Sequence, residues 1–312
     1  MKKLIFITGI IGVTLALFFI SQSLYASPDS SQWLVTPQWV KEHLNDQNLT
    51  IVYVSLNPQD YEKEHIPNSI YVDWKADLAD KREKIHYEMV PKDDFEKLMS
   101  RIGATQDTTL IFYDNFNNRL ALRALYVTAF YGHEKAAILE GGISSWKSAG
   151  FDTTHIVPAI TSSNYSVMEI HSGIKVDKTY VEKNLRNKRV TFVDSRPWKM
   201  YTGETVGIMV NTGKEVARRG HLPGAINLPW KSNIDEKTMF LDGDTLMKMY
   251  REKGLKKGKG DIVFYCNEGV HGVFNWFVTS KILGFKNVTV YEGSMGEWAE
   301  DPLRPMVSGI GF

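Results

Sequence analysis

The sequence predicts an α/β protein of two like domains, each a mostly parallel sheet with helices on both faces. Two observations carry this expectation. Short apolar runs of strand length alternate with helix-like stretches in each half of the chain, the pattern of strand–helix–strand units that cover both faces of a parallel sheet. The chain also repeats itself. Thr109-Leu-Ile-Phe-Tyr-Asp-Asn115 lies on Asp261-Ile-Val-Phe-Tyr-Cys-Asn267, with an offset of 152 at Asp114/Cys266 that returns at Trp146/Trp298. A repeat of this length marks duplicated domains, not a solenoid, whose units run to roughly 20–50 residues. The 312 residues suit two domains of ordinary size, and a hydrophobic content of 43% suffices for their cores. A formal net charge of +1 gives no electrostatic reason to bind nucleic acid or an acidic membrane surface.

Taken in order, the chain opens with Lys2 and Lys3, an apolar run from Leu4 to Ile20, and a polar stretch ending in the small residue Ala26. That order is a secretory signal peptide over 1–26, cleaved after Ala26, and it implies export to the periplasm. The alternative is an uncleaved N-terminal membrane anchor, for which an apolar run of about 17 residues is at the lower limit. A first domain is expected over 32–150. It holds Ile51-Val-Tyr-Val-Ser-Leu-Asn-Pro58, Glu64-His-Ile-Pro-Asn-Ser-Ile70, the strand at Thr109, a helix from Arg119 to Tyr131 stopped by Gly132-His133, and a strand from Ala136 to Leu139. Residues 151–173, rich in Thr and Ser and containing Pro158, read as a linker. The second domain, 174–312, repeats the series with Val190-Thr-Phe-Val-Asp-Ser-Arg-Pro197, Gly220-His-Leu-Pro-Gly-Ala-Ile226, the strand at Asp261, a helix from Val270 to Leu283 and a strand from Val288 to Tyr291. The upstream offset is only 139, so the second half carries extra residues, placed in the Gly-rich stretch Tyr201–Gly213.

Cys266 is the one cysteine of the chain. It cannot form an internal disulfide, the usual use of Cys in exported proteins. It is therefore an inert buried side chain or a reactive thiol. Its position favours the second reading: it ends a strand just before a loop and a helix, where sites lie in open α/β sheets. Backbone N–H groups of such a loop, with the positive end of the helix, make an anion nest. A thiol there is expected to have a lowered pKa and to carry sulfur as a stabilised persulfide.

The loop Cys266-Asn267-Glu268-Gly269-Val270-His271-Gly272 resembles the active-site loop of rhodaneses and mercaptopyruvate sulfurtransferases, which is C-x-x-G-V-x-A or close to it. Val193-Asp-Ser-Arg196, Gly220-His-Leu-Pro-Gly-Ala-Ile-Asn227 and Tyr291-Glu-Gly-Ser294 through Trp298 also resemble signatures of that family. The similarity covers nearly all of the chain beyond the signal. It implies two rhodanese-like domains and transfer of a sulfane sulfur without a cofactor or metal. The donor would be a small sulfur-containing anion, thiosulfate or 3-mercaptopyruvate. The acceptor would be cyanide or a thiol, reached through a Cys266 persulfide. The resemblance makes Asn267, Glu268, Gly269, Val270, His271 and Gly272 the substrate loop. It makes Arg196 the substrate-binding arginine, whose fork would clamp a sulfonate or carboxylate. The alternative for Arg196 is a structural ion pair with Asp194. The first half has Ser55, Asn57 and Asp114 in the places of Asp194, Arg196 and Cys266, and is read as non-catalytic.

The loop departs from the family at three places. Thiosulfate-using members carry basic residues directly after the Cys, and mercaptopyruvate enzymes carry Gly and Ser or Thr; here Asn267 and Glu268 stand instead. A carboxylate there repels an anionic donor and raises the thiol pKa. His271 is read either as a hydrogen-bond donor or charge toward the substrate, or as a helix-start residue facing water. Arg218 and Arg219 either supply the missing charge or form a solvated turn. His65 and His221 are read as turn residues, and Trp146, Trp276 and Trp298 as core. No Cys/His cluster has metal-ligand spacing. Phosphatases with a related Cys loop need Arg six residues after the Cys, and Gly272 stands there. The rival reading is a persulfide carrier or binding module of the same fold. An exposed thiol in an oxidising compartment also calls for a thiol reductant protein as partner.

Overall fold

The structure is a computed structural model that describes residues 32–80, 88–210 and 212–310; the signal read at 1–26 lies outside these. The first half forms β1 (Leu34–Val35), α1 (Pro37–Glu42), β2 (Leu49–Ser55), α2 (Pro58–Lys63), β3 (Ile70–Asp73), α3 (Trp74–Asp77), α4 (Lys92–Arg101), β4 (Thr109–Tyr113), α5 (Arg119–Phe130), β5 (Ala136–Leu139) and α6 (Gly142–Ser148). The second half forms β6 (Lys175–Val176), α7 (Lys178–Asn184), β7 (Val190–Asp194), α8 (Trp198–Thr202), β8 (Ile226–Asn227), α9 (Gly243–Glu252), β9 (Asp261–Tyr265), α10 (Val270–Phe277), β10 (Val288–Tyr291) and α11 (Ser294–Trp298). Each half builds one five-stranded sheet, ordered β1-β5-β4-β2-β3 and β6-β10-β9-β7-β8, with every pairing parallel. The central strands β4 and β9 are buried on four consecutive residues, so both faces are covered and the sequence runs apolar without alternation.

The halves meet along α5 and α10. Tyr126 packs edge-on against Trp276 with ring centroids 4.9 Å apart, and the apolar core runs without a break from one domain into the other. A helix that is apolar nearly all round is a buried helix, and α5 buries nine consecutive residues from Leu120 to Thr128. The helix expected to Leu283 ends as α-helix at Phe277 and continues as one π-helical turn, Val278–Ile282.

The segment between β5 and β6 is pinned, not loose. Tyr165 is buried edge-on against Phe95, and His65 bridges to Thr154. Trp146 and Trp298 are buried and donate from Nε1 to the carbonyls of Asp152 and Pro305, each at 3.0 Å. His65 and His221 are buried as turn residues. Their Nδ1 atoms lie 2.7 Å from the carbonyls of Tyr61 and Tyr201, on whose rings they stack. Among the described residues no helix is long and apolar enough to cross a membrane.

Candidate active site

The loop after β9 starts where the strand must hand over to α10. Gly269 makes the handover at φ +83, and Asn117 does the same after β4 at φ +59. These two residues are 152 apart, so the two loops share a bend. In the first half the loop is filled by a resident carboxyl group. The Asp114 carboxylate accepts N–H bonds from Phe116, Asn118 and Leu120 at 2.8 Å and from Ala121 at 3.0 Å. In the second half the Cys266 thiol stands at the same point, and the backbone N–H groups of Gly272, Glu268 and His271 turn toward it. Phe116 and Leu120 answer to Glu268 and Gly272 at the same offset. Two loops of one chain thus make matching cradles, and one of them is filled by a carboxyl group whose pKa burial pushes up and the loop amides pull back down.

Cys266 is 1% exposed. Burial pushes the thiol pKa above its ordinary value, the loop amides pull it back down, and the charge of Glu268 adds to the rise. The lowered pKa expected from the loop position is thereby corrected: desolvation outweighs the amides.

Ser294 braces the loop from behind. Its hydroxyl oxygen accepts from the amides of Cys266 (3.1 Å) and Gly269 (3.2 Å) and donates to the Tyr291 carbonyl (2.7 Å). It does so at φ +51, a left-handed conformation that a non-glycine residue adopts only under strong constraint. Its counterpart in the first half is Gly142, at φ +58, where a Cβ would stand 2.2 Å from the Asp114 carbonyl.

The other expected site residues divide. Arg196 is buried beside the loop, but its guanidinium is forked on Asp194, with Nε at 3.0 and 3.1 Å and Nη2 at 2.6 Å, and Nη2 also donates to the Gly220 carbonyl at 2.7 Å. Burial works against its charge, and Asp194 more than restores it. Only Nη1 reaches toward the loop, 3.5 Å from Asn267 Oδ1. The fork expected to clamp a substrate is closed on Asp194, so the structural ion pair is the arrangement found.

Asn267 and Glu268 bond to the Gly-rich stretch Tyr201–Gly213 in which the extra residues of the second half were placed. Asn267 Nδ2 donates to the Ile208 carbonyl at 3.0 Å, and Glu268 Oε1 accepts from the Val210 amide. Both side chains are buried, so Glu268 does not face water. Gly207 is required there: a Cβ would stand 2.3 Å from Asn267 Oδ1. These two residues hold the insertion against the loop; neither offers its polar atoms to a substrate in this arrangement.

His271 faces the other domain. Its Nε2 accepts from Arg119 Nη1 at 3.1 Å, and its ring stacks on Trp230 at 5.2 Å. Burial, Arg119 and Arg196 push its pKa down to about 3. It is neutral, so it supplies no positive charge, and it packs against Trp230 and Arg119 instead of facing open water; an Nδ1 hydrogen-bond donor is the part of the first reading that this leaves. Val270 and Gly272 are buried in the first turn of α10, where a Cβ at Gly272 would stand 3.3 Å from Val290 Cγ1 and 3.4 Å from the Tyr265 backbone. Arg218 is tied to four carbonyls around α11, and Arg219 Nη1 donates to the Glu204 carbonyl; neither supplies the missing charge.

Two residues escaped the sequence reading. Ser294 lay in a quoted motif, and the fall of its counterpart to Gly142 marked a special backbone. Arg119 is the exact repeat partner of His271, at 152 residues, yet nothing in the sequence shows that repeat partners touch across the domain seam.

The rhodanese-like domain family matches the chain twice, at 36–149 and 177–301. The thiosulfate sulfurtransferase of Corynebacterium glutamicum is 31% identical over 294 residues, 91% of this chain and 92% of that protein. The sulfur carrier protein TtuD of Thermus thermophilus is 30% identical over 288 residues, 91% of this chain and 99% of that protein. In fold the chain is similar to the anaerobic ergothioneine biosynthesis enzyme of Chlorobium limicola, with a TM-score of 0.79, 21% identity, and coverage of 90% of this chain and 71% of that one. The chain belongs to the rhodanese-like family, with one such domain in each half.

Proposed function

We propose that this protein is a sulfurtransferase of the rhodanese type that moves a sulfane sulfur through a persulfide on Cys266. The observation that carries the reading is the pair of matching cradles. The amides that hold the Asp114 carboxylate have equivalents around the Cys266 sulfur, where a thiolate or persulfide anion needs them. Relatives named for thiosulfate sulfur transfer and sulfur carriage support it.

The donor is thiosulfate or 3-mercaptopyruvate, and the acceptor is cyanide or a thiol. The Cys266 thiolate attacks the outer sulfur of thiosulfate. The new sulfur–sulfur bond forms as the bond to the sulfonate sulfur breaks, and sulfite leaves with the electron pair. With 3-mercaptopyruvate the carbon–sulfur bond breaks and pyruvate leaves as its enolate. Cyanide or an acceptor thiolate then attacks the outer sulfur of the persulfide, giving thiocyanate or a new persulfide and returning the Cys266 thiolate. No outside oxidant or reductant is consumed. Cys266 is the nucleophile, and the amides of Glu268, His271 and Gly272 stabilise its charge.

Thiocyanate production from each donor, with Cys266→Ala beside the wild type, tests this. Turnover lost in the variant supports the reading; equal turnover in the variant overturns it. The carrier reading is favoured by the Thermus relative. It is distinguished by a persulfide that forms once per chain and passes only to a protein thiol. The reading also takes residues 1–26 as a signal for export to the periplasm; the thiol reductant expected for an exposed Cys266 is not called for by a thiol that is 1% exposed. A secreted chain that begins at Ser27 supports the export signal, and one that retains Met1 counts against it.

A further inference from the structure

We propose that Arg119, from the domain without a cysteine, seats the anionic end of the sulfur donor. The inference rests on the reading of Cys266 as the sulfur-bearing residue and names the cation that the Cys266 loop itself lacks.

Five N–H donors belong to a guanidinium. In Arg119, Nε donates to the Phe116 carbonyl at 3.1 Å and Nη1 to His271 Nε2 at 3.1 Å. The remaining N–H groups have no partner among the described residues. No carboxylate pairs with Arg119 there, and Asp114, the acid whose charge it feels, is held by four backbone amides of its own loop. The side chain is nevertheless partly buried. Its guanidinium lies 3.5 Å from the centre of the Phe116 ring and 4.8 Å from that of Trp230. Aromatic faces fix the plane of the fork and partly offset desolvation, but they do not neutralise the charge. A half-desolvated cation without a counter-charge is a site waiting for an anion.

The place is the right one. His271, which Arg119 touches through its side chain, turns its own backbone amide toward the Cys266 thiol. The free edge of the guanidinium suits a head group with two oxygens on one atom. Sulfonate and carboxylate both qualify, so the seat fits either proposed donor. Arg196 cannot serve in the same way, because its fork is closed on Asp194. The absence of basic residues at Asn267 and Glu268 then has a physical account: the charge comes across the domain seam, and the non-catalytic half is part of the site.

The test uses the full chain with Arg119→Met, which keeps an apolar stem against Phe116, and Arg119→Lys, which keeps the charge without the fork. Alkylation of Cys266 by iodoacetate, an anion, is compared with alkylation by iodoacetamide, its neutral counterpart. The ratio of the two rates cancels changes in thiol pKa and access. Arg119→Met is expected to lower the ratio about tenfold, the loss of one charge-assisted contact, with Lys between. In turnover it raises the KM for the anionic donor by a similar factor and leaves kcat near the wild-type value. An unchanged ratio in Arg119→Met overturns the proposal even if sulfur transfer is intact. A wild type whose Cys266 gains no sulfur from either donor overturns the reading of Cys266 instead, while the ratio still decides whether Arg119 seats anions.

Discussion

Replacing Arg123 with methionine should cost the folded protein about 3 kcal/mol at neutral pH. Arg123 on α5 pairs across the domain seam with Glu292, and the two are 2% and 1% exposed. Removing one partner of a buried pair leaves an uncompensated charge, at about 3–5 kcal/mol. Lys175 stays 3.0 Å from the other Glu292 oxygen and is only partly buried, which puts the loss at the low end. At an unfolding entropy of about 2.1 cal/mol/K per residue, each kcal/mol is worth roughly 1.5–2 °C in a chain of 312 residues, so the melting temperature should fall by roughly 4–6 °C. The pH dependence has a definite sign. Burial pushes the Glu292 pKa up, but the charges of Arg123 and Lys175 outweigh it and hold the carboxyl below its ordinary value of 4.5. Its contribution is therefore present above the unfolded value and lost as pH falls through the lower folded one. In the methionine variant the folded value rises, so the deficit is largest at neutral pH and narrows in acid. Thermal and urea melts at neutral and mildly acidic pH measure this. Adding Glu292→Gln to the variant removes the stranded charge and should recover most of the loss. Equal melting of wild type and Arg123→Met at neutral pH, or a double variant less stable than the single, would refute the reasoning.

Three further outcomes are expected. Glu268→Gln removes the negative charge near the thiol, so the alkylation rate of Cys266 should rise at lower pH than in the wild type. The wild-type thiol ionises above its ordinary 9.0, so folding stability should decline as pH climbs from there through the higher folded value, a decline absent in Cys266→Ala. Ser294→Ala strips the acceptor from two buried amides, at about 1–3 kcal/mol each, and should slow persulfide formation beyond its effect on the melt. Ser294→Gly relieves the left-handed strain but loses the same acceptor, so it should melt higher than the alanine variant while remaining slow.

Much of the fold was legible because burial on both faces writes itself into the sequence. β4 and β9 are unbroken apolar runs, and the Arg119 to Tyr131 stretch is apolar nearly all round because α5 lies in the seam. The duplication was legible from Asp114/Cys266 and Trp146/Trp298. What the sequence hid was everything decided by a partner far along the chain. His271 looked like a helix-start residue open to substrate or water, and it is held neutral by burial and by Arg119 from the other domain. Asn267 and Glu268 looked like substrate residues, and they hold Ile208 and Val210 of the Gly-rich stretch Tyr201–Gly213, whose path no local pattern gives. Arg196 offered two readings from two residues' spacing to Asp194, and only the side-chain geometry separates them. The thiol pKa turned on the degree of burial, which a strand-end position does not reveal.

The most direct measurement is the intact mass of the full chain after brief exposure to thiosulfate or 3-mercaptopyruvate, followed by excess cyanide. The account expects a gain of one sulfur atom per chain on Cys266, its loss on cyanide with one thiocyanate released, and no gain in Cys266→Ala. A folded wild type with a titratable Cys266 that gains no sulfur from either donor would contradict it.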